Sequence, residues 1–292
     1  MKKTIHIKLW GGLGDVVLST PIFKELQSRF PEHQIAVIFA NKDFEEVLKY
    51  NPYIHKFLII NRFNGWYYGF LERMKIISPK NIAYGLVRPS FTYEIAASKI
   101  VAEMIGIELE HSNVQLFTTD EEDTFAKSQL SKYVNPVIIN ITSVSSANQM
   151  WPIEYWRELV STTPGHTFIQ LGVKNETLVE GAIDLRGQTS IRESIALVKH
   201  AYFFIGVVSF LSHVTNAFGT PGIVFFGPSA PAVWGHANNI NISKNLTCSP
   251  CIDFLGKGAC PYDKLCMRSI TVDEVRDFLL AKSMKRGEII FQ

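Results

Sequence analysis

Residues 11–15 of this 292-residue chain read Gly-Gly-Leu-Gly-Asp, a glycine-rich turn between a first predicted strand and a helix. Glycines let a ligand approach the backbone closely, and the free N–H groups of a helix N-terminus attract an anion. Asp15 closes the turn, where its carboxylate could accept a proton from an attacking hydroxyl group. An acidic residue in the first turn of a helix also stabilises the helix dipole, so the spacing leaves both roles open for Asp15.

This turn differs from the phosphate-binding fingerprints of dinucleotide and nucleoside triphosphate sites. Gly12 and Gly14 would need a third small residue where Val17 stands, and no acidic residue closes the second predicted strand. The chain also lacks the Gly-Lys-Ser or Gly-Lys-Thr sequence that a Walker loop requires. The turn therefore does not indicate a dehydrogenase or a P-loop enzyme.

Two later segments, residues 205–213 and 225–231, carry glycine, serine and histidine at the carboxyl ends of predicted strands. Ligands bind at that edge of an open α/β sheet, and short hydroxyl side chains with backbone N–H groups suit a diphosphate. Ordinary strand-to-helix turns have the same composition, and a lone histidine such as His213 is often simply packed. The residues alone leave both interpretations open.

All four cysteines lie between residues 248 and 266. They are Cys248, Cys251, Cys260 and Cys266. Four thiolates at this spacing could form a closed tetrahedral site for zinc or iron, and a closed site would be structural because no coordination position stays open. Free thiols, or disulfides formed on oxidation, are the alternatives.

These segments fall in an alternating series of predicted strands and helices, which is typical of an α/β fold with a parallel sheet and helices on both faces. The length allows about two domains. An acidic run at residues 120–123 separates a first series from a second. We therefore predict one domain over residues 1–133, another over residues 134–292, and a cleft between them. The alternative is that the acidic run is a solvated helix face inside a single domain.

The composition excludes some classes of protein. Lys and Arg number 29 against 27 Asp and Glu, a formal charge of +2, so nothing indicates a nucleic-acid-binding protein. No apolar stretch has the length of a membrane span, and the N-terminal residues do not read as a secretion signal. We expect a cytoplasmic protein, in which clustered cysteines favour a metal over disulfides.

A basic and aromatic stretch lies in the first predicted domain. Its members are Arg62, Trp66, Tyr67, Tyr68, Arg73, Lys75 and Lys80. These side chains could meet an anionic lipid headgroup or the phosphates of an acceptor, which would give peripheral membrane contact. A solvated basic loop over packed aromatic residues explains the stretch equally well.

Taken in order, several segments resemble glycosyltransferase family 9, which includes the lipopolysaccharide heptosyltransferases. The segments are residues 12–21, Trp151-Pro152 with Trp156, Ser209 to His213, Phe226-Gly227-Pro228-Ser229 with Pro231 and Trp234-Gly235, and Cys266-Met267. The resemblance implies a GT-B fold, in which two Rossmann-like domains face a central cleft and the second binds most of the donor. It also implies an inverting transfer from a nucleotide-sugar that needs no catalytic metal.

The resemblance also implies roles for particular residues. By position, Asp15 matches the family's proposed catalytic base, which would deprotonate the acceptor hydroxyl. Gly12 and Gly14 would open the floor of the cleft. The other donor-binding residues implied in this way are Ser143, Ser145, Ser146, Ser209, His213, Gly227, Pro228 and Ser229.

The chain departs from the family pattern at three positions. Gln149 stands where a lysine is usual, and Val208 and Phe210 stand where an acidic residue and a glycine are usual. A neutral amide lacks the charge of a phosphate-binding ammonium, so a catalytically degenerate binding protein is one alternative. A protein glycosyltransferase is another, because some relatives with a cysteine cluster modify proteins. The favoured function is inverting sugar transfer, with ADP-heptose as the favoured donor, to a lipopolysaccharide-type glycolipid or polysaccharide acceptor.

Overall fold

The computed structural model describes residues 3–83, 94–255 and 258–290 of the chain. Contacts divide the chain into two compact units, Met1–Thr119 and Asp120–Gln292. Each unit contains a parallel β-sheet with helices, so the predicted α/β class is confirmed.

The first unit has, in its described part, a four-stranded parallel sheet in the order β3-β2-β1-β4. Its strands are β1 (Thr4–Trp10), β2 (Gln34–Phe39), β3 (Lys56–Ile59) and β4 (Lys80–Ala83). Its described helices are α1 (Leu13–Ser19), α2 (Pro21–Arg29), α3 (Asp43–Leu48), α4 (Gly65–Arg73) and α5 (Ala97–Met104). Strand β2 is almost wholly buried, because a central parallel strand is covered on both faces, and its sequence is correspondingly a continuous apolar run.

The sequence predicts one helix from Asp15 to Phe30, ending before Pro31, but the structure divides this stretch into α1 and α2. Pro21 has no backbone N–H, and its ring clashes with the preceding helical turn, so it begins a new helix instead of continuing the first. The Thr20 hydroxyl donates to the carbonyl oxygen of Val17 at 2.7 Å at the break. The prediction of one helix was therefore wrong, because it did not take account of the helix break that the proline at position 21 causes.

Two other predictions for the first unit are met only in part. The sequence predicts a strand over residues 82–87; β4 covers its first two residues, and the later ones lie outside the described part of the chain. The sequence also predicts a helix over residues 93–105, within which α5 lies, with Tyr93 again outside the described residues. Helix α4 was not predicted, and none of its residues is buried.

The second unit has a six-stranded parallel sheet in the order β10-β9-β8-β5-β6-β7. Its strands are β5 (Pro136–Asn140), β6 (Thr167–Gln170), β7 (Ile183–Asp184), β8 (Phe203–Val207), β9 (Gly222–Phe226) and β10 (Asn239–Ser243). Its described helices are α6 (Asp120–Leu130), α7 (Ile153–Thr162), α8 (Ile191–His200), α9 (Phe210–Phe218), α10 (Pro231–Trp234), α11 (Ile252–Leu255), α12 (Leu265–Arg268) and α13 (Val272–Ile290). Among the described helices, none combines the length and apolarity needed to cross a lipid bilayer.

The second sheet has the strand order of a doubly wound nucleotide-binding fold. The chain runs from β5 through β6 to β7 on one side, and from β8 through β9 to β10 on the other. Strands β5 and β8 therefore lie at the point where the winding reverses, and ligands of open α/β sheets bind outside the carboxyl ends of the strands at that point.

Two tryptophans near the start of α7 build the core of this unit. Trp156 is fully buried, and the ring of Trp151 lies 4.8 Å from that of Phe225, centroid to centroid. The Trp151 indole N–H donates to the carbonyl oxygen of Ile270 at 2.9 Å. The Trp-Pro pair of the sequence thus packs β9 against the segment that leads into α13.

The acidic run at residues 120–123 belongs to the second unit, so the division falls earlier than the boundary predicted after residue 133. Helix α6 packs against α8, and the carboxylate of Glu122 lies 2.5 Å from the guanidinium of Arg192. Asp123 pairs with Lys199 at 2.6 Å. These ion pairs hold the acidic residues on the second unit and give a physical reason for the position of the division.

Candidate functional site

In the first unit, the glycine-rich turn after β1 fixes the Asp15 carboxylate. The backbone N–H of Gly12 donates to Asp15 Oδ2 at 2.6 Å. Gly11 has a φ of +117°, and a β-carbon there would collide with the Asp15 carboxylate. Only glycine fits at that position, since the turn folds back onto the side chain of Asp15.

This arrangement places a half-buried carboxylate at the carboxyl edge of the first sheet. A charge-assisted hydrogen bond from a backbone N–H keeps one oxygen of Asp15 in place. Gly14 lies beside it in the first turn of α1. This geometry places an acidic group in the first turn of α1, where it stabilises the helix dipole, and it also holds a proton acceptor at a defined position.

In the second unit, polar side chains meet where the winding of the sheet reverses. Ser209, between β8 and α9, donates its hydroxyl proton to Asn140 Oδ1 at 2.6 Å. Asn140 is the buried last residue of β5. Sequence analysis predicted Ser209 and missed Asn140, although a polar residue that ends an apolar strand was the available signal.

A buried amide joins two of the predicted donor-binding loops. Gln149 is 1% exposed, and its Nε2 donates to Ser143 Oγ at 3.0 Å. The Ser229 hydroxyl donates to Gln149 Oε1, also at 3.0 Å. An amide both donates and accepts, whereas an ammonium can only donate, so a lysine at this position could not accept the hydroxyl proton of Ser229. The departure at position 149 therefore forms a neutral bridge between the loops after β5 and β9.

The neighbouring serines of the loop after β5 lie in different surroundings. Ser145 is exposed, while Ser146 is buried and its Oγ accepts from the backbone N–H of Asn148 at 3.2 Å. The Asn148 side chain donates to the carbonyl oxygen of Gly258 at 2.8 Å. The loop after β5 is thereby tied to the cysteine-containing segment.

Gly227 and Pro228 support that same segment. A β-carbon at Gly227 would collide with the Met267 side chain and would lie 3.0 Å from Cys266 Sγ. The carbonyl oxygen of Pro228 accepts hydrogen bonds from the backbone N–H groups of Cys251 at 2.9 Å and Ile252 at 3.0 Å. Both residues are buried against protein, so contacts within the protein explain the glycine at position 227 and the hydrogen-bonded carbonyl at position 228.

The structure places His213 in a buried pair with His236. His213 Nδ1 and His236 Nε2 are 2.9 Å apart, with the rings edge to face. Burial lowers the pKa of His236 to about 4 and holds the pKa of His213 well below its usual range. The neighbouring His236 lowers the pKa of His213 further. Both rings are neutral at pH 7, and one donates to the other.

The four cysteines are grouped, with Cys266 buried and the others half-buried. Burial, together with the nearby thiols of Cys266, Cys260 and Cys248, raises the pKa of the Cys251 thiol to about 11. Within the described residues, however, no three or more cysteine, histidine or acidic side chains are arranged to hold a metal ion. The described residues therefore show grouped thiols, and a four-thiolate metal site stays a prediction beside the alternative of free thiols.

The departures at Val208 and Phe210 lie at the start of α9. Val208 is buried, and Phe210 is half-buried.

Among the candidate site residues, the structure brings Ser143, Gln149 and Ser229 together and joins Ser209 to Asn140. His213, Gly227 and Pro228 face the interior of the protein.

The chain matches a known protein family. A family model described as glycosyltransferase family 9 (heptosyltransferase) matches residues 95–257, which is more than half of the chain. A curated relative, lipopolysaccharide heptosyltransferase 1 of Salmonella typhimurium, is 27% identical over 128 residues. That match covers 40% of this chain and 39% of the relative, well under half of its length.

Solved structures are similar over almost the whole chain. ADP-heptose lipopolysaccharide heptosyltransferase II of E. coli matches with a TM-score of 0.72 and 15% identity, covering 97% of this chain and 99% of that one. The dodecameric iron-containing heptosyltransferase TibC, solved in complex with ADP-D-beta-D-heptose, matches with a TM-score of 0.70 and 16% identity. The match covers 98% of this chain and 77% of TibC. At these identities the likeness concerns the fold, and it confirms the expected GT-B class.

Proposed function

The chain belongs to glycosyltransferase family 9, and from this premise we propose that it transfers a heptose from ADP-heptose to a glycolipid or polysaccharide acceptor of the lipopolysaccharide type. The relatives support the choice of donor, because two of the similar structures carry ADP-heptose in their descriptions. The observation that carries the proposal is the polar cluster at the carboxyl edge of the second sheet. Ser143 accepts from Gln149 there, so its own hydroxyl proton is available to an anionic ligand.

In the proposed reaction, the acceptor oxygen attacks the anomeric carbon of the donor while the bond from that carbon to the diphosphate breaks. The acceptor proton passes to the Asp15 carboxylate, and ADP leaves with the bonding electrons. Attack and departure on opposite sides of the carbon invert its configuration. Hydroxyl and N–H donors near Ser143 and the start of α9 would stabilise the charge that develops on the diphosphate.

Calorimetric titration with ADP, UDP, GDP, CDP and NAD tests the proposed donor. We expect selective binding of ADP and a loss of about tenfold in affinity for Ser143→Ala, because one hydrogen bond to a charged group is removed. Ser161→Ala is the matched control, since Ser161 is exposed on α7 and bonds only within its own helix among the contacts described. Binding of none of the five nucleotides would favour the degenerate, non-catalytic alternative.

We also propose that the cysteine cluster takes up a structural zinc or iron ion when its thiols converge. The grouping of Cys248, Cys251, Cys260 and Cys266 supports this proposal, as does the description of TibC as iron-containing. The described arrangement of the thiols does not fit a bound ion as it stands, so we assign the metal no part in the reaction. We expect metal analysis of protein purified under reducing conditions to find a stoichiometric amount of metal. Metal-free protein would instead indicate that the four cysteines are free thiols.

For the acceptor side, we propose peripheral contact with the cytoplasmic face of a membrane. Helix α4 and Met74, the residue that follows it, expose an apolar face that includes Trp66, at 74% exposure, and Phe70. Exposed basic residues, Arg73 and Lys75, lie beside this face. Aromatic side chains suit the bilayer interface, and basic residues are attracted to anionic lipid.

Vesicle flotation tests this contact. We expect the protein to float with phosphatidylglycerol vesicles and to lose most of that binding when Trp66 and Phe70 are both replaced by serine. Vesicles of phosphatidylcholine alone should bind weakly, because the basic residues then have no anionic partner. A double serine variant that still floats like the unchanged protein would contradict the proposal.

A further inference from the structure

The first unit contains a cavity of about 160 Å³ that the proposed donor chemistry does not use. It lies at the carboxyl ends of β1, β2 and β3, and α4 forms one wall. Lys8, Trp10, Tyr68, Gly69 and Glu72 are among the residues that line it. Trp10 is the last residue of β1, so the cavity adjoins the turn that holds Asp15.

Two glycines of α4 line this cavity. Gly65 and Gly69 lie one turn apart on α4, on the face that lines the cavity. Glycine in a helix is unfavourable compared with alanine, so a glycine at such a position needs another reason. A β-carbon at Gly69 would meet no atom within 4 Å, and the residue is not in the left-handed conformation that only glycine adopts easily. The backbone therefore does not require glycine at position 69, and a side chain there would project into open space at the cavity wall.

One ion pair supplies the charged groups of the lining. Lys8 Nζ donates to Glu72 Oε1 at 2.8 Å, which joins β1 to α4, and Lys8 Nζ also lies 5.2 Å from the centre of the Trp10 ring. An ammonium has three N–H donors and a carboxylate has two oxygens, so this pair keeps hydrogen-bonding capacity on both sides. The remaining lining is mainly apolar and aromatic.

We propose that this cavity binds one sugar ring of the acceptor. A sugar ring has an apolar C–H face, which packs on aromatic side chains such as Trp10 and Tyr68, and hydroxyl groups, which bond to charged pairs such as Lys8 and Glu72. The cavity has room for a single ring, and its position beside the Asp15 turn is suitable for the group that is to be deprotonated. The identification of the ring as the acceptor's rests on the proposed function.

Saturation-transfer NMR with the full chain tests the site directly. The probes are the methyl glycosides of glucose, galactose, mannose and a heptose. We expect transfer from the protein to the ring C–H protons of at least one glycoside, and a loss of about tenfold in that signal for Gly69→Leu, which fills the cavity. Glu103→Leu is the matched control and should keep the signal, because Glu103 is exposed on α5 of the same unit and does not line the cavity. Lys8→Met should also lower it.

The outcomes separate this site from the proposed function. ADP affinity is expected to be the same in Gly69→Leu and in the unchanged protein, because the cavity lies in the first unit and the donor site in the second. The melting temperature should not fall, since leucine is a better helix former than glycine. No signal from any glycoside, or an undiminished signal in Gly69→Leu, would overturn the cavity proposal. If the unchanged protein does not bind ADP, the result would count instead against the proposed function.

Discussion

Replacing Asp15 by asparagine is expected to lower the rate of sugar transfer by about 10³-fold, the range over which a positioned general base contributes. Asparagine has nearly the shape of aspartate, and its amide oxygen can still accept the hydrogen bond from the Gly12 N–H. The turn should therefore persist, and Gly11 should remain compatible with the side chain at position 15. What the substitution removes is a carboxylate able to take the acceptor proton.

The measurement is a single-turnover assay with the nucleotide-sugar donor and acceptor, together with the melting temperature and the affinity for ADP. Asp43→Asn provides the matched control, because Asp43 is also acidic, in the first turn of a helix and in the same unit. That variant should transfer sugar at a normal rate. If Asp15→Asn did the same, Asp15 would be only a helix-stabilising acid and the proposed base would lie elsewhere.

The second large effect is expected in the dependence of stability on pH. The pKa of His236 is about 4 in the folded protein, against an ordinary value of 6.5, and burial lowers the pKa of its partner His213 in the same direction. Between these values the unfolded chain binds more protons than the folded one, so the free energy of unfolding rises with pH. The stabilisation is complete above about pH 6.5 and is lost as the pH falls towards 4. His236 alone should contribute roughly 2 kcal/mol to the difference between pH 7.5 and pH 5.

Urea unfolding at the two pH values measures this effect. Replacing both His213 and His236 by leucine removes both titrating groups and leaves no buried donor unpaired, so the folded state should survive while the pH dependence shrinks. His111→Asn is the control, because the His111 side chain is 81% exposed. Equal pH dependence in the double variant and the unchanged protein would show that other groups govern acid unfolding.

The general course of both sheets could be predicted from the sequence because buried parallel strands are continuous apolar runs, as in β2 and β8. Strand β10 was missed, since it is an edge strand that alternates asparagine and isoleucine inside a loop-rich stretch. Helix α4 was missed because two glycines and four aromatic residues give a weak helical signal and no residue of it is buried. The proline that divides α1 from α2 was visible in the sequence.

The site was predictable to the extent that position along a strand determines it. Ser143, Ser209 and Ser229 follow strands and so could be expected at one edge of a sheet, although their role in donor binding stays a prediction. The bridge through Gln149 could not be expected, because it depends on two loops that are 80 residues apart meeting in space. The contact between Asn140 and Ser209 became visible only once β5 and β8 were known to be neighbours.

Helix α6 supplies the acidic partners of basic residues in α8, so a shortened polypeptide that keeps these ion pairs must include α6. The Arg192 side chain is only 6% exposed and faces Glu122, and Lys199 and His200 both face Asp123. A shortened polypeptide beginning at residue 134 would discard both acids and strand a guanidinium in the interior, which typically destabilises a protein by about 3–5 kcal/mol. One beginning at residue 120 carries its own counter-charges, so a shortened polypeptide meant to retain the second unit should start with the acidic helix α6.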